Sequence, residues 1–367
     1  MNSLKTEQLL RIKQTTYNQP PSKIDLSLFP NASIVMTYNI LGKSISDRRD
    51  SPYQEHARWK NRKKAVTDII QNNLSLGLAH ESNTIKLPCI LLFQEANIDQ
   101  AFDLQQQLDQ NLSFISYSNK TGEELAEIAK YPKSRDPFFY GFTNTIAFNH
   151  HFWRLEDKPV IEWISETPKT PSPTPGSQRA TYHTILAVPL RNKAGNNCIF
   201  INVHMSYVEA CQPYSIIKIV DFIRRVTDFG KKAFILGGDL NTFSQTTGPD
   251  IYQAIMHSDL PIKDWRDNKD SKIYCPNFIA HTTFIGFHGD VYKTAYSIEQ
   301  KQFSANILDH IFVHQDISII QGCKDPGTIN PQCNKLVNFN DKETTHAACT
   351  QRTFASDHVA LFAAFSL

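Results

Sequence analysis

The sequence predicts an α/β fold in which two β-sheets pack face to face and helices cover their outer sides. Three observations predict it. Short apolar runs of strand length recur along the whole chain, amphipathic stripes of helical period lie between some of them, and turn residues follow many of the runs. Many strands with a few interspersed helices are the pattern of packed sheets with helices outside.

In chain order, the strand-like runs are Ser33–Tyr38, Cys89–Gln94, Asn144–Asn149, Thr181–Leu190, Cys198–His204, Ala233–Leu236, Ile307–Val313 and His358–Phe365, rich in Ile, Val, Phe and Thr. Between the first two, Gln54–Asn72 sets Trp59, Val66 and Ile70 on one helical stripe. Ala101, Leu104, Leu108 and Leu112 form a second stripe. Pro213–Phe229 carries a third, with Ile216, Ile219, Val220, Ile223 and Val226, and Gly230 is placed as its C-cap. Residues 1–30 read as a polar arm, and 31–367 as a single domain with loop insertions near 165–178 and 321–352. The Pro-rich stretch Ser165–Gln178 must be extended, and because the polar motifs fall on both sides of it, a surface loop fits better than a linker.

The composition narrows the function. The chain has 367 residues, 41% of them hydrophobic, enough to bury a large core. Its 38 basic and 36 acidic residues leave a net charge of +2, which excludes a general nucleic-acid or membrane-surface binder and makes any attraction for phosphate local. The start, MNSLKTEQLLRIKQTTYNQPPSK, has no apolar core long enough for a secretory signal, and no window approaches the roughly 18–20 apolar residues of a membrane span. The chain therefore reads as soluble and cytoplasmic, with specialised export lacking a cleaved signal left open. Seven cysteines is an odd count for a disulfide framework. Cys89 and Cys198 sit in apolar runs and read as reduced core residues. Cys323, Cys333 and Cys349 share a polar stretch, match no zinc spacing and read as free thiols, with a local bridge as the alternative.

The chemistry lies at the strand tips. IVMTYN ends on Asn39, ILLFQE on Glu95 and IFINVH on His204. AFILGGDLN delivers Asp239 and Asn241, two residues apart and so on one side of an extended chain. ILDHIFV carries Asp309, and FASDHVALFAAF opens with Asp357 and His358. Strand ends of packed sheets converge on a common rim, so these groups can meet in one cleft. The set suits phosphate ester hydrolysis. Glu95 is a hard oxygen ligand for Mg²⁺ or Mn²⁺, and Asn39 offers a carbonyl ligand or a hydrogen bond. Asp239 can take the proton of an attacking water that Asn241 holds. His358, oriented by Asp309, can stabilise charge on phosphorus, and His204 can bind a second phosphate oxygen.

Singly, each piece reads as a turn or a capped loop; the bland reading needs all of them to coincide in order. TYNIL, FQE, VHMSY, GGDLNT, LDHIF and SDH, in that order, resemble the DNase I-like endonuclease/exonuclease/phosphatase superfamily over roughly Ser33 to Leu367. That resemblance implies a four-layer α/β/β/α sandwich of two mixed, mainly antiparallel sheets, with the site at the rim between them. It implies that Asn39, Glu95 and Asp357 form the metal site for Mg²⁺ or Mn²⁺. It further implies that Asp239, Asn241, His204, Asp309 and His358 do the catalytic work. Arg179, just ahead of the run ATYHTILAVPL, stands where many relatives place a phosphate-contacting arginine; an exposed arginine closing the Pro-rich loop is the alternative.

The substrate is less defined. Tyr38, Tyr53, Trp59, Arg62 and Glu95 together are similar to deadenylases of the nocturnin type, which implies a phosphodiesterase acting on nucleic acid in the manner of a 3′ exoribonuclease, with single-stranded RNA or DNA as the substrate. The Arg179–Thr181 segment and the run His281–Phe287 are similar to bacterial members acting on small phosphoesters, so a small phosphoester, a phosphoinositide or a sphingomyelin-type lipid is the alternative. A catalytically silent binding module is disfavoured by retention of the full polar set. No protein partner is predicted. Arg48, Arg49, Arg58, Lys60, Arg62, Lys63 and Lys64 make a basic cluster near Asn39 that reads first as a solvated helix face. Phe138, Phe139 and Tyr140 read as core with one exposed ring, and otherwise as a base-stacking group.

Overall fold

The computed structural model describes residues 32–42, 58–75, 88–108, 111–118, 142–170, 172–176, 182–241, 251–264, 296–297, 302–303, 308–325, 329–330, 335–336, 356, 358 and 360–367. The strands are β1 (Ala32–Asn39), β2 (Cys89–Asn97), β3 (Leu112–Ser118), β4 (Phe142–Asn149), β5 (Trp153–Leu155), β6 (Val160–Trp163), β7 (Thr184–Asn192), β8 (Asn197–His204), β9 (Phe234–Asp239), β10 (Ile262–Asp264), β11 (Tyr296–Ser297), β12 (Gln302–Phe303), β13 (Asp309–His314), β14 (Ser318–Asp325), β15 (Ile329–Asn330), β16 (Lys335–Leu336) and β17 (Ala360–Ser366). The helices are α1 (Trp59–Ser75), α2 (Ile98–Gln107), α3 (Gln212–Val226) and α4 (Ile251–Met256).

One sheet has the order β14-β17-β1-β2-β4-β3, and the other β10-β13-β9-β8-β7-β5 with β6 also paired to β7. Only β1–β2 and β8–β9 pair in parallel among these strands, so both sheets are mixed and mainly antiparallel.

Alternation along the strands builds the layers. On β1, Ile34 and Met36 face outward with Leu91 and Phe93 of β2, and against them lie Trp59, Val66 and Ile70 of α1 and Leu104 of α2. The intervening residues, Val35, Ile90 and Leu92, face the other sheet and meet Leu186, Val188, Phe200, Ile235 and Ile311. On the far side, Ile199, Ile201, Val203 and Phe234 pack under Ile219, Phe222 and Ile223 of α3 and Ile251 and Ile255 of α4. The result is the α/β/β/α sandwich. Burial on both faces is why the central strands read as continuous apolar runs rather than alternating ones.

Several local expectations are corrected. Leu112, expected on the second helical stripe, opens β3 after α2 has ended at Gln107, and the insertion expected from 321 starts inside β14, which pairs with β17 as far as Asp325. Gly230 does not cap α3: Thr227 follows the last turn, bonding Ile223 O through its own N–H (2.9 Å), and Asp228 and Phe229 are left-handed before Gly230 is reached. Gly230 is needed for close approach, since a Cβ there would lie 2.4 Å from the Pro261 ring. Arg62 is no part of a solvated face. It is only 2% exposed, because the α1 stripe rotates it inward beside Trp59, 5.2 Å from that ring. The Pro-rich loop runs between β6 and β7, which pair with each other, and Gly176 lies so close to the Ala210 carbonyl that a Cβ would be 2.2 Å away. Cys89, Cys198 and Cys211 are free and buried. No helix among the described residues is long and apolar enough to cross a membrane.

Candidate active site

Register carries the polar residues to one rim. Asn39 ends β1 beside Gln94 of β2; His204 ends β8 opposite Asp239, the end of β9; and Asp239 faces Asp309, the start of antiparallel β13. β1 and β9 are interior strands of different sheets, so the site lies where strand ends of the two sheets meet.

Glu95 is placed by a bulge. β2 continues two residues past it to Asn97, beyond the expected end, and its register against β4 shifts between Phe93 and Ala96. Within that bulge Glu95 has φ 57°, a left-handed conformation that costs a non-glycine residue about 1–2 kcal/mol. The strain sits where the carboxylate must turn to the rim. Asn39 ties the two sheets together there: its Nδ2 donates to Glu95 Oε1 (3.1 Å) and to Asp239 Oδ2 (2.9 Å), while its Oδ1 accepts from the Leu41 N–H (3.1 Å). A backbone N–H needs an oxygen and two carboxylates need donors, so this amide orientation follows from its neighbours. The second Glu95 oxygen, Oε2, accepts from Gly42 N–H at 3.1 Å.

Asp239 is 1% exposed and held from both sides. Asn241, itself left-handed at φ 50°, donates its backbone N–H to Asp239 Oδ1 (2.8 Å) and its side-chain Nδ2 to Met205 O (2.7 Å). Burial pushes the Asp239 carboxyl up to about 7; the neighbouring Asp309 adds to this, and His358, Asn39 and Asn241 oppose it. His358 Nδ1 meets Asp309 Oδ2 at 2.9 Å, and His358 Nε2 lies 3.7 Å from Asp239 Oδ2. His204 Nε2 is 3.7 Å from both Glu95 Oε1 and Asp239 Oδ2. Burial, and then the charge of His358, hold the His204 imidazole down at about 3.

Two overlapping groups of ligand atoms therefore share Asp239: Glu95–His204–Asp239 and Asp239–Asp309–His358, each with its atoms within 4.8 Å of one another. The first fits a hard divalent cation. It supplies carboxylate oxygens, and the Glu95 side chain is 15% exposed, leaving an open side for water and substrate. Of the expected residues, Asn39, Glu95, His204, Asp239, Asn241, Asp309 and His358 come together. Asp357 and Arg179 lie outside the described residues, as do Tyr53, Phe138–Tyr140, His281–Phe287, Cys333 and Cys349.

The rim rests on polar groups that sequence reasoning passed over. Ser356 Oγ donates to the Asn39 carbonyl (2.7 Å). His183 lies edge-to-face on His204 with centroids 5.5 Å apart, its Nδ1 3.1 Å from His204 O, and burial holds it down at about 3. Beneath Asn39, Gln94 Nε2 donates to Thr37 Oγ1 (2.9 Å) and Asn202 Oδ1 (2.7 Å), and Asn202 Nδ2 donates to Phe93 O (2.8 Å) and Thr145 O (3.0 Å). The readable signal was a Gln and an Asn inside apolar strand runs.

The chain matches the Endonuclease/Exonuclease/phosphatase family over residues 36–358, and it belongs to that family. It is a phosphoester hydrolase. No curated protein matches it by sequence search. Among solved structures it is similar to an endonuclease/exonuclease/phosphatase family protein of Bacteroides thetaiotaomicron, at 16% identity and TM-score 0.63 over 92% of this chain and 98% of that one. A mannosyl-6-phosphatase of the same organism gives 16% identity and TM-score 0.63 over 91% and 100%. The human nocturnin catalytic domain gives 13% identity and TM-score 0.52 over 91% and 94%.

Proposed function

We propose that the chain hydrolyses a phosphodiester of single-stranded RNA or DNA by in-line attack of water, with Mg²⁺ or Mn²⁺ held at Glu95. The observation that carries the chemistry is Asp239 Oδ2, which faces His358 Nε2, His204 Nε2 and Asn39 Nδ2 at one point of the rim. A carboxyl pushed up to about 7 is matched to taking a proton near neutral pH, so Asp239 is the base and the Asn241 N–H on its other oxygen fixes its direction. His358, held at Nδ1 by Asp309, presents Nε2 to the charge that grows on the phosphoryl oxygens. His204 offers a neutral ring nitrogen to a second oxygen. The bound cation supplies Lewis-acid polarisation of the phosphoryl group. Asp357 completes the metal shell and Arg179 contacts substrate phosphate in this reading.

The nucleic-acid substrate is supported by the nocturnin-like spacing of Tyr38, Trp59, Arg62 and Glu95. A small phosphomonoester is the second reading, supported by the balanced charge and by the higher TM-score with the mannosyl-6-phosphatase. The test incubates the protein and its Asp239→Asn variant, with Mg²⁺ or EDTA, on a 5′-labelled oligoribonucleotide ending in adenosines and, in parallel, on mannose 6-phosphate. A metal-dependent ladder shortening from the 3′ end and absent in the variant supports the first reading. Phosphate release with intact RNA replaces it by the second.

A further inference from the structure

The chain leaves β1 through a turn whose peptide units point two ways. Leu41 is left-handed at φ 54°, and the N–H groups of Leu41 and Gly42 turn toward the rim, to Asn39 Oδ1 and Glu95 Oε2. The carbonyls on the same two peptide units, those of Ile40 and Leu41, accept from Arg62 Nη1 and Nη2 respectively. Gln100 Nε2 of α2 adds a second donor to Leu41 O at 3.1 Å. The guanidinium is buried against Trp59, whose Nε1 is held by Asp103 Oδ2 at 2.7 Å.

We infer that Arg62 is the positioning residue of the metal site, acting on Glu95 through these two peptide units. One path runs from Nη2 through the Leu41–Gly42 peptide to Glu95 Oε2. The other runs from Nη1 through the Ile40–Leu41 peptide to Asn39, whose amide then donates to Glu95 Oε1 and Asp239 Oδ2. Both oxygens of Glu95 are thus aimed by one planar cation that never touches them. A guanidinium suits this because its fork spans two adjacent carbonyls, which an ammonium cannot do. Its charge polarises each peptide so that the far N–H donates more strongly, as in any chain of hydrogen bonds in a dry interior. The sequence leaves a basic residue on this helix looking like surface charge; its burial identifies the site it serves.

The inference rests on the reading of Glu95 as a metal ligand, and the experiment separates the two. Mn²⁺ alone is titrated by calorimetry into the metal-free full-length protein and into Glu95→Gln, Arg62→Lys and Arg62→Met, with the apo melting temperature of each recorded. We expect Mn²⁺ binding that Glu95→Gln abolishes, and an Arg62→Lys variant that melts near the parent but binds about 10- to 100-fold more weakly, the loss typical of groups that orient a ligand. Arg62→Met binds more weakly still where it folds, and Arg62→Lys decides the matter alone where it does not. Parental Mn²⁺ affinity in Arg62→Lys, with or without a lower melting temperature, reduces Arg62 to a structural prop and leaves Glu95 in place. A parent protein that fails to bind Mn²⁺ overturns both readings.

Discussion

His358 spans two carboxylates: its Nδ1 lies 2.9 Å from Asp309 Oδ2 and its Nε2 lies 3.7 Å from Asp239 Oδ2. With Nδ1 committed to Asp309, the tautomer and direction of the ring are set, and Nε2 is the nitrogen available to substrate. His358→Ala and Asp309→Asn should each lower turnover by about 10²–10⁴, since Asn at 309 would favour the wrong tautomer. The double variant should lose no more than the worse single one, because groups acting as a unit are non-additive. Steady-state rates on the active substrate check this; losses that multiply would show that the two act independently.

Asp239 gives a pH signature to stability. Its carboxyl is raised from 3.8 to about 7, so its contribution is fully present below the ordinary carboxylate value and is lost as pH rises through about 7. His183 and His204 work in the opposite sense: held down from 6.5 to about 3, their contribution is present above 6.5 and lost as pH falls toward 3. Asp239→Asn removes the first effect and keeps the histidines. In EDTA, the melting temperature of the parent minus that of the variant should therefore fall steadily from pH 4.5 to 8. A difference that grows with pH would contradict the raised carboxyl.

Metal binding should show the complementary trend. A cation needs its carboxylates ionised, so the rise in melting temperature on adding Mn²⁺ should be larger at pH 8 than at pH 5.5. In Glu95→Gln the rise should vanish at both. Differential scanning fluorimetry reads this directly, and a full Mn²⁺ response in the variant would remove Glu95 from the ligand set.

The layers and most of the rim were legible in the sequence because burial on both faces of β1, β2, β8 and β9 writes continuous apolar runs, each closed by a polar residue. Asn39, His204 and Asp239 end their strands as the runs suggest. Glu95 was legible as a residue and illegible as a conformation, since a bulge with φ 57° leaves no local mark in FQEAN. Arg62, Asn202 and Gln94 were harder for another reason. Gln94 and Asn202 are 108 positions apart, and the carbonyls that Arg62 meets lie 22 and 21 positions before it, just past the end of a strand, so no single element holds both halves of either interaction. Gly230 was misread because a glycine after a helix is usually a cap, and only the approach of Pro261 shows its use.

The two glycines before Asp239 should differ sharply. A Cβ on Gly238 would lie 1.9 Å from the Val203 carbonyl oxygen, backbone of the paired strand, with φ at 152°. Gly238→Ala must push β9 from β8 and displace Asp239 from His204; we expect a loss of about 3 kcal/mol or more together with activity. At Gly237 the nearest atom is Leu92 Cδ1 at 2.6 Å, the end of a side chain that can turn. Gly237→Ala should cost about 1–2 kcal/mol. Urea unfolding of both compares them, and equal losses would place the constraint elsewhere.

Asn202 tests whether the polar layer under the rim is structural. It is fully buried between the sheets and bonds Phe93 O, Thr145 O and Gln94 Nε2, linking β8 to β2 and β4. Asn202→Leu keeps the branched outline but removes one donor from each of the Phe93 and Thr145 carbonyls and one of the three acceptors of the Gln94 amide. Each buried group left short of a partner costs about 1–3 kcal/mol, and part is recovered by the added apolar surface. We expect a net loss of about 2–4 kcal/mol in urea unfolding. Replacing Gln94 as well, in an Asn202→Leu/Gln94→Leu double variant, should cost less than the sum of the single losses, since each single change already removes the one bond the two residues share. The Thr37 hydroxyl still loses its bond to Gln94, which limits the recovery. A double variant whose loss equals that sum would mean that Gln94 and Asn202 contribute separately, through their bonds to Thr37, Phe93 and Thr145 rather than through the bond they share.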